Sequence, residues 1–385
     1  MALSQPINGL LLHPESQRYL SLDVLRGLTI ALMIVVNTPG SWSTNFDPLT
    51  HAAWHGLTLT DLVFPSFLFV VGNAMSFSMT KLQNQNQATV LKKVGKRALL
   101  IFLIGLFLTV FPFFRIVDGA PVWYDFTRIR IMGVLQRIAL CYAVAAVVIY
   151  YGKISGMVVF SLLALLGYWG IMYFFGVDGD PFSITSNAAT LVDRLLLGES
   201  HLYMGEGVPF EPEGLLSTLP ATVNVLAGYG VGRFIQQKGN RPTTVLALLA
   251  IGALVILIGF LWDSVFPINK KIWTSSYVSV TVGISTFALA VLMYLIEVLS
   301  FRKWTYFFEV FGRNPLILYV LSGVFVRLMG VIFIQGVASK QWLFESFFLG
   351  IFPPKWDSLL FALGFMLVIW LIGYAMDRKK IYIKV

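Results

Sequence analysis

Apolar runs about as long as a lipid bilayer is thick recur from one end of this chain to the other, and nothing else in it limits the fold as strongly. They fall at Leu22–Val36, Leu62–Met79, Arg97–Phe114, Ile131–Tyr150, Ile154–Phe175, Leu216–Ile235, Thr243–Trp262, Ser275–Leu299, Asn314–Phe333 and Ser358–Met376. A water-soluble domain has no use for repeated runs of about 18–23 apolar residues, so the pattern predicts an all-α polytopic membrane protein with about ten transmembrane helices. Trp342–Phe352 is apolar but too short to span, and is expected to lie at the interface or re-enter. Composition agrees: 57% of the 385 residues are hydrophobic and 12% charged, where a soluble domain carries about a quarter charged.

The net charge of +9 does not point to nucleic acid, because Lys and Arg gather at the ends of apolar runs. Arg18, the Lys81/Lys92/Lys93/Lys96/Arg97 group, Lys153, Arg233/Lys238/Arg241, Arg302/Lys303/Arg313 and Arg378/Lys379/Lys380/Lys384 all fall on one side if the spans alternate. The positive-inside rule then makes both termini cytoplasmic and turns the segment after the first span outward. The polar residues 1–20 read as a cytoplasmic N-terminal segment ahead of one membrane domain, 21–385. No cleavage signature follows closely on the first span, which is expected to be retained. The single cysteine, Cys141, sits inside an apolar run, so no disulfide framework is available.

Chemistry gathers in the outward segment between the first two spans. Asn37, His51, His55 and Asp61 occur there with Trp42 and Trp54, and without a single Lys or Arg. Histidine moves protons near neutral pH, and a carboxylate commonly fixes its tautomer. The plainer alternative is an interfacial loop anchored by tryptophans. A second outward segment, 176–214, carries His201, Glu206, Glu211 and Glu213; acids in an exposed Gly/Pro-rich loop are expected to be solvated.

Charge inside the spans is the other signal. Asp23 and Arg26 open the first run three residues apart, a helical pairing distance. Arg130, Gln136 and Arg137 lie at the start of the fourth, where isolated charge costs several kcal/mol unless paired or wetted. Two readings stand: a structural ion pair, or a polar cavity lined from several helices. Gly312, Asn314 and Pro315 add a break in another helix facing the same cavity.

Taken together, SLDVLRG, Asn37, HAAWHGLTLTDLVFPSFLFVVG, RIRIMGVLQRI, DRLLLGESHLY, EPEGLLSTL, FPINKKIWTSSYV and RKKIYIKV, in that order, resemble the lysosomal heparan-α-glucosaminide N-acetyltransferase and its bacterial homologues. The resemblance covers essentially the whole chain from Ser21. The chain is expected to do without the luminal region and leading helix of the lysosomal enzyme, as a compact bacterial member in the cytoplasmic membrane would. The resemblance implies acetyl transfer across a membrane, from cytoplasmic acetyl-CoA to an amino sugar on the other face. It makes His51 the essential histidine and ranks His55 lower. Asn37 and Asp61 match family residues beside it, while Arg97, Lys93, Asn314 and Lys384 are expected near CoA. Trp54, Arg130, Arg137 and His201 are expected at the acceptor or its cavity. The expected partners are acetyl-CoA, an amino-sugar acceptor and the lipid bilayer, with a homodimer as the oligomeric expectation; no metal and no nucleic acid are called for.

The chemistry of the residues suits that reading independently. An attacking amine must be neutral and must lose a proton, which His51 is suited to accept with Asp61 orienting the ring. Asn37 is placed to donate to the oxyanion, and an acetyl-histidine intermediate is the alternative route. Lys92, Lys93, Lys96 and Arg97 suit phosphate, although topology alone also explains them. A secondary transporter of sugars or amino sugars would share the spans, the buried charge and the broken helices, but would not consume acetyl-CoA. An acyltransferase acting on another envelope glycan is the nearer alternative. A scaffold would have no need for charge at bilayer depth.

Overall fold

The computed structural model describes residues 19–82, 85–117, 119–177 and 179–383, Lys81 without its side chain. The expected N-terminal segment up to residue 18, and Lys384, lie outside the described residues.

Helices α1 (Leu20–Asn37) and α2 (Leu59–Leu82) stand at the centre, with about two-thirds of each buried in the protein. After α3 (Gln87–Val110), a small hairpin of β1 (Phe114–Val117) and β2 (Ala120–Trp123), paired antiparallel, leads to the long α4 (Val134–Phe175). The short α5 (Ala188–Leu197) precedes α6 (Thr218–Lys238), α7 (Pro242–Asp263) and α8 (Ser275–Met293), the last continuing into a π-helical turn, Tyr294–Val298. Then come α9 (Thr305–Arg313), α10 (Pro315–Val331), the two-residue strands β3 (Phe333–Ile334) and β4 (Val337–Ala338), α11 (Ser339–Phe347) and α12 (Pro354–Arg378). The protein is an all-α membrane protein.

Every expected span has a helical counterpart, but the count of ten is not reached. Among the described residues six helices are long and apolar enough to cross a membrane, or seven if α9 and α10 make one broken span. The physical reasons are local. Lys93, Lys96 and Arg97 load α3 with charge, and α6 is rich in Gly, Thr, Asn and Gln. Two expected spans merge into α4, which breaks at Lys153 (φ 51°, ψ −151°). Between α9 and α10 the chain bends by 83° at Asn314, because Pro315 has no N–H to continue the ladder and suits only a first turn.

The seam between α2 and α6 positions the site. A Cβ on Gly72 would sit 1.8 Å from the Val225 carbonyl oxygen, and one on Gly228 would sit 1.9 Å from that of Phe69. Only glycine permits such backbone contact, the packing mode membrane helices use where lipid supplies no hydrophobic drive. It locks the helix whose first turn carries Asp61 against the helix that follows Glu213.

Candidate active site

Helix α2 opens with Thr58-Leu-Thr-Asp61, the spacing of a capping box. The Thr58 amide donates to Asp61 Oδ2 (3.0 Å), and the Asp61 amide reaches back to the Thr58 hydroxyl (3.4 Å). Ala52 N–H also donates to Oδ2 (3.2 Å), which leaves Oδ1 for His51 Nδ1 at 2.6 Å. Tyr277 on α8 donates its hydroxyl to the Asp61 carbonyl (2.5 Å). Asp61 is 1% exposed while the His51 side chain is 44% exposed. A buried, fully held carboxylate therefore fixes a ring whose other nitrogen, Nε2, is left for chemistry. With Nδ1 carrying the proton toward Asp61, Nε2 presents a lone pair.

His51 faces a cavity of about 50 Å³ with Asn37 at the end of α1, Thr60 and Phe64 on α2, and Lys270 and Glu213 from the loops. This cavity shares Met33, Asn37, Val134 and Tyr319 with a larger one of about 290 Å³, which adds Arg130, Gln136 and Arg327 and has, among the described residues, no carboxylate in its wall. Asn37 and Tyr319 thus line both.

A closed charge network backs this end. Arg130 makes a two-pronged pair with Glu211 (2.9 and 2.5 Å) and a further bond to Glu213 (2.7 Å). Glu213 also pairs with Lys270 (3.4 Å), and Lys271 with Glu206 (2.6 Å). Burial opposes charge on Glu213, but Lys270, Arg130 and Arg137 outweigh it and hold its pKa down at about 2. Burial wins at Glu211 and raises its pKa despite Arg130. Burial likewise pushes Asp193 on α5 up to about 7. Asp193 accepts from Leu215 N–H (2.8 Å) and lies so close to Gly214 that a Cβ there would meet its Oδ2 at 1.8 Å.

The opposite end of the same helices holds a separate cavity of about 340 Å³. Arg26, Arg97 and Arg313 line it together with apolar residues of α2, α3 and α4, and among the described residues no carboxylate does. Arg26 is tied to Asp23 and to the Gly312 carbonyl (both 3.3 Å), and Arg313 to Asp377 and Glu309. Arg97 lies over the Tyr142 ring at 4.8 Å and forms no ion pair among the described residues. The two main cavities stack along the helices. On α3, Ile101 lines the arginine cavity and Gly105 the outer one; on α4, Ile138 lines the first and Leu135 and Gln136 the second.

His51, Asp61 and Asn37 therefore come together, and Arg130 joins the adjoining wall. Asn314 does not itself line the arginine cavity. It holds the C-terminal tail through Ile381 O (2.9 Å) and Ile383 N–H (2.9 Å), which brings Ile383 into that wall. Lys93 is not brought in: its ammonium bonds to Gln85 Oε1 (2.8 Å) on the surface. Arg137 is fully buried under the site, donating to Gly214 O (3.0 Å) and Ser217 and stacking on Trp273 at 4.9 Å. Trp54 bonds to Phe182 O (3.0 Å) and packs on Phe210, and His201 bonds to Ile129 O (2.7 Å); neither lines the cavities beside His51. His55 faces another opening, with Asp263, and burial lowers its pKa against the pull of Asp180 and Asp263. The expected solvated acids Glu211 and Glu213 are instead buried. Sequence reading also missed Lys270, Tyr319 and Arg327; only the charge of Lys270 beside an apolar run and of Arg327 inside one marked them.

The family model for the heparan-alpha-glucosaminide N-acetyltransferase catalytic region matches residues 18–261. That stretch runs from the start of α1 nearly to the end of α7 and contains Asn37, His51, Asp61, Arg97 and Arg130. The chain belongs to the heparan-alpha-glucosaminide N-acetyltransferase family. It is 30% identical to the human heparan-alpha-glucosaminide N-acetyltransferase over 361 aligned positions, covering 80% of this chain and 53% of the human protein. The mouse enzyme is 29% identical with the same coverage. The chain thus spans about half the length of the curated relatives it matches.

Proposed function

We propose that this family member transfers an acetyl group from acetyl-CoA, held at the arginine-lined cavity, to the amino group of a glucosamine-type sugar beside His51. The arginine end is cytoplasmic in this reading, as are both termini, and His51 faces the far side of a bacterial inner membrane. The observation that carries it is the pairing of two unlike ends: a held His51–Asp61 dyad at a small cavity whose Asn37 and Tyr319 also line the outer one, and three arginines at the cavity stacked beneath that outer one.

The arginine cavity fits a polyanionic nucleotide, since among the described residues its wall has no carboxylate and Arg97 has no ion-pair partner to give up. Charge-assisted bonds from guanidinium to phosphate are among the strongest available. At the other end, the neutral amine attacks the thioester carbonyl as His51 Nε2 takes its proton. Asn37 donates to the oxygen that becomes negative. Asp61 stays ionised and stabilises the imidazolium. Collapse breaks the C–S bond, and the proton held on His51 passes to the departing sulfur. The N–C bond remains in the product.

The test is purified protein with acetyl-CoA and a panel of amino sugars, reading free CoA and N-acetylated product together. Acceptor-dependent release of both in equal amounts is expected. Uptake of unmodified sugar into vesicles, with no CoA released for any acceptor, would replace this reading with the transporter.

A further inference from the structure

The break in α4 creates a feature that neither cavity uses. At Lys153 the backbone turns into the left-handed region, and a groove of about 450 Å³ opens between α4 and α6. Among the described residues Tyr150, Lys153, Ile154, Tyr229 and Arg233 line it, without a carboxylate. Arg233 donates one N–H to the Thr80 hydroxyl (3.2 Å). Neither Arg233 nor Lys153 forms an ion pair among the described residues. The groove therefore presents two cations with charge to spare at the end of the bundle that carries Lys92, Lys93 and Lys96.

A second observation says what kind of anion fits. Directly beyond Lys153, Ile154, Val158, Val159, Leu162 and Leu163 are all more than half exposed. Their spacing puts them on one side of the helix, an apolar stripe left open among the described residues that starts at the groove. Tyr150 and Tyr229 stand at the boundary, the position aromatic side chains favour at a membrane interface. A soluble phosphate would use the cations and leave the stripe bare, whereas a lipid uses both. Basic pockets between membrane helices hold anionic headgroups in this way.

We propose that this groove binds an anionic phospholipid, its headgroup phosphate between Lys153 and Arg233 and its acyl chains along the Ile154–Leu163 stripe. The lipid braces α4 at the point where its helical ladder is interrupted. This rests on the membrane fold and not on the proposed transfer reaction.

The experiment compares delipidated protein in neutral detergent with added phosphatidylglycerol, phosphatidylcholine of the same chains, glycerol phosphate, or acetyl-CoA. Retained ligand is read by native mass spectrometry and stability by thermal unfolding. Phosphatidylglycerol alone is expected to stay bound and raise the unfolding midpoint through this groove. The Lys153→Gln/Arg233→Gln variant should lose about tenfold or more in phosphatidylglycerol affinity, the loss two interfacial cations represent. Lys153→Gln alone, at an exposed side chain, should lose part of it and serves if the double variant does not fold. A Lys238→Gln/Lys303→Gln variant, changed at the same end but outside the groove, should bind normally. Equal retention of phosphatidylcholine, an equal loss in the Lys238/Lys303 variant, or equal Lys153-dependent protection by glycerol phosphate or acetyl-CoA would each overturn the proposal.

Discussion

The two cavities differ in what their charges are committed to. Around His51, Arg130, Glu211, Glu213 and Lys270 are paired with one another, and the network is closed before any substrate arrives. At the other end Arg26 and Arg313 are paired as well, but among the described residues Arg97 has the Tyr142 ring beneath it and no ion pair. Paired charge builds a site; charge without a partner is kept for a ligand. The same end-to-end contrast separates a position-holding network, whose loss should cost stability, from a binding residue, whose loss should cost affinity.

The largest expected effect tests the closed end. Glu213→Gln leaves Lys270, whose side chain is 13% exposed, without its carboxylate. Breaking a buried pair from one side costs about 3–5 kcal/mol, so the unfolding midpoint in detergent should fall steeply. An unchanged midpoint would mean that the network is not structural. Arg97→Ala tests the open end and should leave the midpoint near wild type. Acetyl-CoA affinity should drop tenfold or more, since a charge-assisted hydrogen bond contributes about 1.5–3 kcal/mol. Unchanged affinity by calorimetry would take Arg97 out of the site.

The smallest effect sharpens the comparison through pH. Burial raises Asp193 to about 7 in the folded state, above the roughly 3.9 of an unfolded chain. Between those values the folded state keeps a proton that the unfolded state has released, so stability is present at low pH and declines as pH rises through 7. Glu213, held at about 2, stays ionised across the same window and adds no slope. Wild type should therefore melt lower at pH 8 than at pH 5, and Asp193→Asn, which can still accept from Leu215 N–H, should lose part of that difference. An identical difference in the variant would contradict the burial account.

The helices and the dyad were both legible in the sequence, for different reasons. Apolar runs announce helices directly, and even the break at Lys153 was visible as a gap between two runs. Asn37, His51 and Asp61 were legible because the segment joining two spans holds all three. Glu211 and Glu213 were misread as solvated because their partners are remote in sequence: Arg130 precedes them by more than eighty positions and Lys270 follows Glu213 by nearly sixty. Local composition carries no trace of such pairings. Trp54 and His201 were read as cavity residues for their chemistry, yet Trp54 pins the Phe182 loop and His201 the segment before α4. The span count was not reached because charge on α3, and small and polar side chains on α6, keep those helices from being apolar enough to cross a membrane by length and composition, and two expected spans merge into α4.

The central claim is that His51, held by Asp61, takes the proton from the attacking amine. It is tested most directly by comparing turnover of His51→Ala and His55→Ala in one acetyl-transfer assay, with acetyl-CoA binding measured alongside. Loss of a general base costs about 10²–10⁴ in rate, so His51→Ala should lose at least two orders of magnitude in turnover while still binding acetyl-CoA, and His55→Ala should keep most of its activity. Near-normal turnover by His51→Ala would contradict the account; if His55→Ala were then inactive, the base would lie four residues along the same loop, at the opening His55 shares with Asp263.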